Sequence, residues 1–248
     1  MKFYISKNKK QGDKKAFEII KKQALKKPDS LIALAAGKTT DGLHKLISND
    51  AKKYPKKWKK IKILQIDENL GIPPHSLFSF NNEIRKELSP LLKILNAKNV
   101  FLIDGRKNPN KTINEAYKFI KQNKGIDLIT LGIGPEYDPH IAYNVSSKSS
   151  LKSKMRVVKL HPETLKRMVR ATGRSPQLGI TLGIRDILDT KKALLMVYGK
   201  EKAKSMYLAF GKKKVNINRA SASALLQHKN LSVVLDKNAT KYSCKGNS

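Results

Sequence analysis

The segment 31–47, LIALAAGKTTDGLHKLI, holds an apolar run, a glycine-led polar turn at Gly37-Lys38-Thr39-Thr40 and a helical pattern over Gly42–Ile47. An apolar run without alternation reads as a strand buried on both faces, and a strand that passes through a short turn into a helix is half of a βα unit. Outward from it, further runs at Ile61–Ile66, Asn99–Ile103, Ile126–Ile133, Met155–Leu160, Leu178–Ile184, Lys192–Val197 and Leu231–Leu235 alternate with amphipathic stretches. Lys14–Lys27 sets Phe17, Ile20 and Ala24 on one side, Asn114–Asn123 sets Ala116, Tyr117 and Ile120, and lysine covers the opposite faces. The pattern predicts one α/β domain over 1–236, a doubly wound, mostly parallel, Rossmann-like sheet with helices on both faces. The last dozen residues, KNATKYSCKGNS at 237–248, read as a flexible polar tail.

A chain of 248 residues that is 40% hydrophobic buries a core of that size, which excludes collagen-like, coiled-coil and disordered classes. The N-terminus MKFYISKNKKQGDKK turns charged early and no apolar run is long enough for a membrane span, so neither Sec export nor a span is expected and a cytoplasmic location is. The single cysteine, Cys244, excludes an internal disulfide and a cysteine-based metal site. The charge is +33, from 52 Lys+Arg against 19 Asp+Glu, yet only eight are arginine, the residue that reads bases and phosphates in bidentate fashion. Nucleic-acid contact is therefore expected only nonspecifically, through net charge. The most basic segment, Lys52–Lys62, interleaves Tyr54 and Trp58, but Pro55 breaks it into a helix-to-strand connection with Trp58 covering the sheet edge.

Open parallel sheets bind ligands beyond the carboxyl ends of their strands, and three such ends carry chemistry. Gly37-Lys38-Thr39-Thr40 offers close backbone approach and helix-capping hydroxyls, a phosphate-like site; it is no Walker A loop, because the earlier glycine of that motif falls on Ile32. KILQID ends in the paired carboxylates Asp67-Glu68, a pair that crowding keeps titratable, or else a helix cap and a surface charge. Gly132-Ile133-Gly134-Pro135-Glu136-Tyr137-Asp138-Pro139-His140 sets an aspartate two residues before a histidine, where it can orient the imidazole or simply tie down a loop.

In this order, AAGKTT, IDENLGIP, Ser-Leu-Phe-Ser-Phe at 76–80, GIGPEYDPHIAYN, Gly199-Lys200-Glu201-Lys202-Ala203 and Ser223-Ala-Leu-Leu-Gln227-His228 with Asp236 resemble the glucosamine-6-phosphate deaminase family and its 6-phosphogluconolactonase relatives. The resemblance runs from about Leu31 to Ala239. It implies a small-molecule sugar phosphate as substrate and deamination with aldose–ketose isomerisation, without metal or organic cofactor. Asp67 then shuttles a proton between C2 and C1, and His140, oriented by Asp138, opens the sugar ring. Gly37, Lys38, Thr39, Arg170 and Lys202 bind the phosphate, and Glu68, Glu136 and Asn144 stand as supporting candidates. A homo-oligomer is compatible with all of this.

The chain departs from the family pattern at three places: two extra residues around Glu136-Tyr137, Pro139 in place of a glycine, and Val145 where deaminases carry a glutamate. Proline fixes φ where glycine is free, so the direction of His140 is expected to differ. The departures leave two alternatives open. One is a lactone hydrolase in which His140 activates water; the other is a degenerate member that binds sugar phosphate or polyanions.

Overall fold

The apolar runs become strands in the computed structural model, which describes residues 1–163, 165–166 and 176–242. In chain order they are β1 (Lys2–Ser6), β2 (Leu31–Leu34), β3 (Lys62–Gln65), β4 (Asp67–Asn69), β5 (Val100–Phe101), β6 (Leu128–Gly132), β7 (Arg156–Lys159), β8 (Leu178–Thr181), β9 (Ala193–Val197) and β10 (Leu231–Asp236). Seven of them form a parallel sheet in the order β1-β10-β9-β6-β2-β3-β5. Successive residues of a strand face opposite ways. Ile32, Leu34, Leu128, Leu194, Met196 and Val234 therefore enter one core, and Leu31, Ala33, Ile129, Leu131, Leu195, Val197, Val233 and Leu235 enter the other.

The first of these cores is closed by α1 (Lys9–Lys26), α2 (Asp41–Lys53), α3 (Pro55–Trp58), α4 (Phe80–Glu87) and α5 (Ser89–Ile94), through Ile20, Leu43, Ile47, Trp58, Ile84 and Leu91. The second is closed by α6 (Pro109–Gln122) and the segments Ala203–Gly211 and Ser221–Gln227, through Ala116, Met206, Phe210 and Leu225. Each fully buried leucine or isoleucine contributes about 1.5–3 kcal/mol by leaving water. The fold is thus the doubly wound α/β sheet the sequence predicts.

Four details differ. The stretches Met155–Leu160 and Leu178–Ile184 do form strands, but β7 and β8 pair antiparallel with each other and with β4 in a separate three-stranded sheet. The helix expected at Lys14 begins at Lys9, because the Asn8 side chain accepts the Gln11 amide as an N-cap; Asn108 and Pro109 likewise start α6 ahead of Asn114. Trp58 is buried in the helical layer, with its Nε1 donating to Asp50 at 2.9 Å. The packed unit also runs past Asp236: its side chain accepts the Ala239 amide, Lys237–Thr240 forms a 3₁₀ turn, and Ala239 is fully buried, so the expected tail does not start at 237.

The winding reverses between β2 and β6, since the strands that follow β2 run to one side as β3 and β5, and the chain then returns to β2's other edge as β6. The crevice beyond the carboxyl ends of β2 and β6 is the switch point where such sheets bind ligands.

Candidate active site

Two turns meet at this crevice. After β2, Gly37 takes φ +107°, a left-handed conformation natural to glycine, and the Thr40 hydroxyl bonds back to the carbonyls of Ala35 and Gly37, both at 3.1 Å. Thr40 thus closes the turn rather than capping α2. Thr39 remains partly exposed and lies against Gly132 at the end of β6, so close that a Cβ on Gly132 would sit 3.5 Å from its hydroxyl. Lys38 is exposed. The Gly37 amide, read from sequence as an anion donor, is already engaged: it donates to Glu83 Oε1 at 2.7 Å.

After β6 the loop folds back on itself. The Gly134 amide donates to the His140 carbonyl at 2.7 Å and the Ala222 amide to the Pro139 carbonyl at 3.0 Å. A Cβ on Gly134 would lie 2.3 Å from the Asp138 carbonyl and 2.7 Å from His140 Nδ1, so only glycine fits there. His140 Nδ1 meets Asp138 Oδ2 at 2.8 Å, and Asp138 Oδ1 accepts the Ser146 amide at 2.8 Å. Burial alone would raise the Asp138 carboxyl, but the His140 bond and charge and the Ser146 bonds outweigh it and hold it below the usual carboxylate range. An ionised Asp138 only accepts, so the proton on Nδ1 belongs to the imidazole and Nε2 is the nitrogen left to exchange one. The imidazole is 16% exposed, enough to meet a ligand. The backbone just beyond is strained, with Ala142 at φ +49°. Lys202 reaches the same crevice from beyond β9, its ammonium 2.8 Å from the Ile133 carbonyl.

Asp67 and Glu68 lie beyond β3. Glu68 is fully buried and receives five donors: Gln65 Nε2 at 3.1 Å, the amides of Asn69, Phe80 and Asn81 at 2.7, 3.0 and 2.7 Å, and the Ser79 hydroxyl at 2.8 Å. It caps α4 and fixes β4 to it, which removes it from the supporting chemistry expected of it. The Asp67 carboxylate accepts no hydrogen bond among the described residues, and the residue is 6% exposed. Burial first, then the charges of Glu68 and Glu83, push its carboxyl up to about 8.

The two halves of the site are tied together. Asp67 pairs with Thr181 across β4 and β8, and the Thr181 hydroxyl accepts the amide of Tyr143, three residues after His140, at 3.1 Å. Tyr143 also donates its hydroxyl to Asn69 at 2.8 Å and stacks on Phe80 at 5.8 Å. Glu83, which accepts the Gly37 amide, adds its like charge to the field at Asp67.

Not every expected residue joins this cleft. Glu136 turns outward to an exposed ion pair with Lys204 at 3.0 Å, because the two inserted residues bulge to the surface, and Tyr137 stacks on His161 at 5.0 Å. Asn144 is fully buried, donating to Ile141 and Leu182 carbonyls and accepting from Arg156 at 3.0 Å, which makes it a fastener of the loop. Arg170 lies outside the described residues. Sequence reasoning missed Glu83, which sits in a plain amphipathic helix with nothing local to single it out, and Thr181, whose role depends on pairing across the second sheet.

The family model of glucosamine-6-phosphate isomerases and 6-phosphogluconolactonases matches residues 9–234. Curated relatives include a glucosamine-6-phosphate deaminase of Thermoanaerobacter sp. (strain X514), 29% identical over 96% of this chain and 94% of that protein. Another, of Clostridium botulinum (strain Langeland), is 30% identical over 96% of this chain and 97% of its own. Among solved structures, a monomeric glucosamine-6-phosphate deaminase superimposes with a TM-score of 0.87 at 23% identity, covering 96% of this chain and 98% of that one. A 6-phosphogluconolactonase from Trypanosoma cruzi gives 0.78 at 19%, covering 97% and 96%; at these identities the likeness is one of fold.

Proposed function

The chain belongs to the family of glucosamine-6-phosphate isomerases and 6-phosphogluconolactonases, and on that footing we propose that it converts glucosamine 6-phosphate and water to fructose 6-phosphate and ammonia. The observation that carries this reading is the combination at one crevice of the Asp138–His140 dyad with Asp67, a buried carboxyl without a hydrogen-bond partner among the described residues, raised to about 8. Deaminases similar at about 30% identity over nearly the whole chain support the reaction.

Each residue then has a task set by its surroundings. Lys202 and Thr39, with Lys38 at the rim, hold the phosphate dianion at one end of the crevice. Gly37 contributes its turn rather than its amide. His140 Nε2 takes the proton of the C1 hydroxyl and returns it to the ring oxygen, opening the pyranose, while Asp138 holds the imidazole and steadies its positive charge. Asp67 takes the proton from C2 and delivers it to C1, which turns the amino aldehyde into an imine at C2. Water adds to that carbon, ammonia leaves, and the ketose remains. Without substrate, a carboxyl raised to about 8 is mostly protonated at neutral pH; a C2 ammonium brought beside it favours the carboxylate, so substrate binding itself readies the base.

Val145 favours a second reading. It is buried where deaminases carry a glutamate, which leaves the His140–Asp138 dyad alone to work, and a dyad of that kind suffices to activate water on a lactone. Ammonia release from glucosamine 6-phosphate and hydrolysis of 6-phosphogluconolactone, measured on one preparation, separate the two. The deaminase reading expects ammonia and fructose 6-phosphate in equal amounts; lactone hydrolysis without ammonia reverses the assignment.

A further inference from the structure

Glu83 projects from α4 to the turn after β2, where its carboxylate accepts the Gly37 amide at 2.7 Å, its one hydrogen bond among the described residues. With Asp67 and Glu68 it makes three carboxylates at this corner; two more beside it, Glu87 and Asp41, are met by His44 at 2.6 Å and Lys9 at 2.7 Å. Glu68 is saturated by five donors, whereas Asp67 is 6% exposed with a carboxylate that has no hydrogen-bond partner among the described residues. Among the described residues no lysine or arginine forms an ion pair with any of the three, although the chain carries a net charge of +33. Lysines elsewhere find carboxylates readily: Lys9 serves both Asp13 and Asp41, and Lys27 and Lys191 both serve Asp127. A partly enclosed corner that keeps negative charge without a cation, in a protein rich in cations, is complementary to a positively charged ligand group.

We propose that Glu83 is the counter-ion of the substrate's amino group, and that it selects a C2 ammonium over a C2 hydroxyl. The inference rests on the sugar-phosphate reading of the crevice and adds a specificity residue to it. The placement follows from the proton transfer assigned to Asp67: carbon C2 must stand beside that carboxyl, so the substituent on C2 meets the charge that reaches Asp67 from the Gly37 side. The Gly37 amide anchors the Glu83 carboxylate without neutralising it. A phosphate dianion is repelled from the same corner, which leaves it the β6 side of the crevice, where Thr39 lies against Gly132 and Lys202 reaches the Ile133 carbonyl.

Two unreactive open-chain probes test this, 2-amino-2-deoxyglucitol 6-phosphate and glucitol 6-phosphate, which differ only at C2 and lack the carbonyl that reaction requires. They are titrated calorimetrically at neutral pH into wild type, Glu83→Gln and Glu83→Asp. Glutamine keeps an oxygen for the Gly37 amide and drops the charge; aspartate keeps the charge. Wild type is expected to bind the amino probe about 10-fold or more tightly than the hydroxyl probe, Glu83→Gln to lower that ratio by about threefold or more with the hydroxyl probe unchanged, and Glu83→Asp to retain more of the preference than Glu83→Gln. A wild-type ratio of one, an unchanged ratio in Glu83→Gln, or equal weakening of both probes overturns the role of Glu83 and leaves the sugar-phosphate site standing. If neither probe binds wild type, the sugar-phosphate reading falls and takes this inference with it.

Discussion

Asp67 and Glu68 are successive residues of one short strand with opposite surroundings: the Glu68 carboxylate accepts five hydrogen bonds, and the Asp67 carboxylate accepts none among the described residues. Neighbours in a strand point to opposite faces, so Glu68 turns to the start of α4 while Asp67 is left with burial and two like charges. On the proposed reading one carboxylate builds the site and the other reacts in it.

Their stability effects therefore have opposite signs. Asp67 keeps its proton up to about 8 in the folded chain but only to its ordinary 3.8 when unfolded, so between these values the folded state binds more protons and stability falls as pH rises. Asp67→Asn removes that burden: at pH about 7.5 it is expected to stabilise by about 1 kcal/mol or more, a shift of a few degrees in Tm that fades toward pH about 4. Glu68→Ala strands five donors and is expected to cost about 2–4 kcal/mol at either pH. Thermal unfolding of both variants at the two pH values checks the pair, and destabilisation by Asp67→Asn at the higher pH would contradict it.

Under the proposed mechanism the same raised carboxyl governs activity. Asp67 must be unprotonated to take the C2 proton, so kcat/KM is expected to fall on the acid side with an apparent pKa near 8. Glu83→Gln removes one of the charges that raise Asp67 and should move that limb to lower pH. Titration of the substrate amine would not show such a shift, and a limb unmoved by the substitution speaks against the assignment.

On the proposed reading Lys202 binds a phosphate that is present before, during and after the chemistry. Lys202→Ala is expected to raise KM by about 10- to 100-fold with kcat within about threefold of wild type, the pattern of uniform binding lost. Steady-state kinetics with varied substrate read both constants, and a loss confined to kcat places Lys202 elsewhere in the mechanism.

Val145→Glu returns the carboxylate found in deaminases. Val145 lines a cleft with Tyr143, Lys148 and Arg156, so the new charge has cations beside it. Turnover of cyclic glucosamine 6-phosphate is expected to stay level or rise, since ring opening is the step such a carboxylate assists. A fall in ammonia release together with a gain in lactone hydrolysis would favour the second reading.

The sheet was legible in the sequence because buried parallel strands are written as continuous apolar runs, as in Leu31–Leu34 and Ala193–Val197. β1 was not: it is an edge strand with Phe3 and Ile5 exposed, and its short alternation is masked by the lysines around it. The second sheet was hidden for a related reason, since strand pairing is nonlocal and nothing in Met155–Leu160 or Leu178–Ile184 tells which neighbour each will take. At the site, strand ends followed by turns exposed Gly37–Thr39, Asp67 and Asp138–His140. The orientation of side chains was the part that could not be read. Glu68 beside Asp67, Glu136 in the loop and Asn144 after His140 all lie near the chemistry in sequence, and each is turned away from it by hydrogen bonds or an ion pair formed in three dimensions.

The central claim is that Asp67 moves the proton between C2 and C1, and the measurement that meets it most directly is ammonia release from glucosamine 6-phosphate by wild type and Asp67→Asn side by side. Wild type is expected to yield ammonia and fructose 6-phosphate in equal amounts, and the variant to lose about 10²–10⁴ in kcat with KM little changed, the worth of a positioned general base. Full kcat in the folded variant, or a wild type that releases no ammonia while it hydrolyses the lactone, would contradict the account.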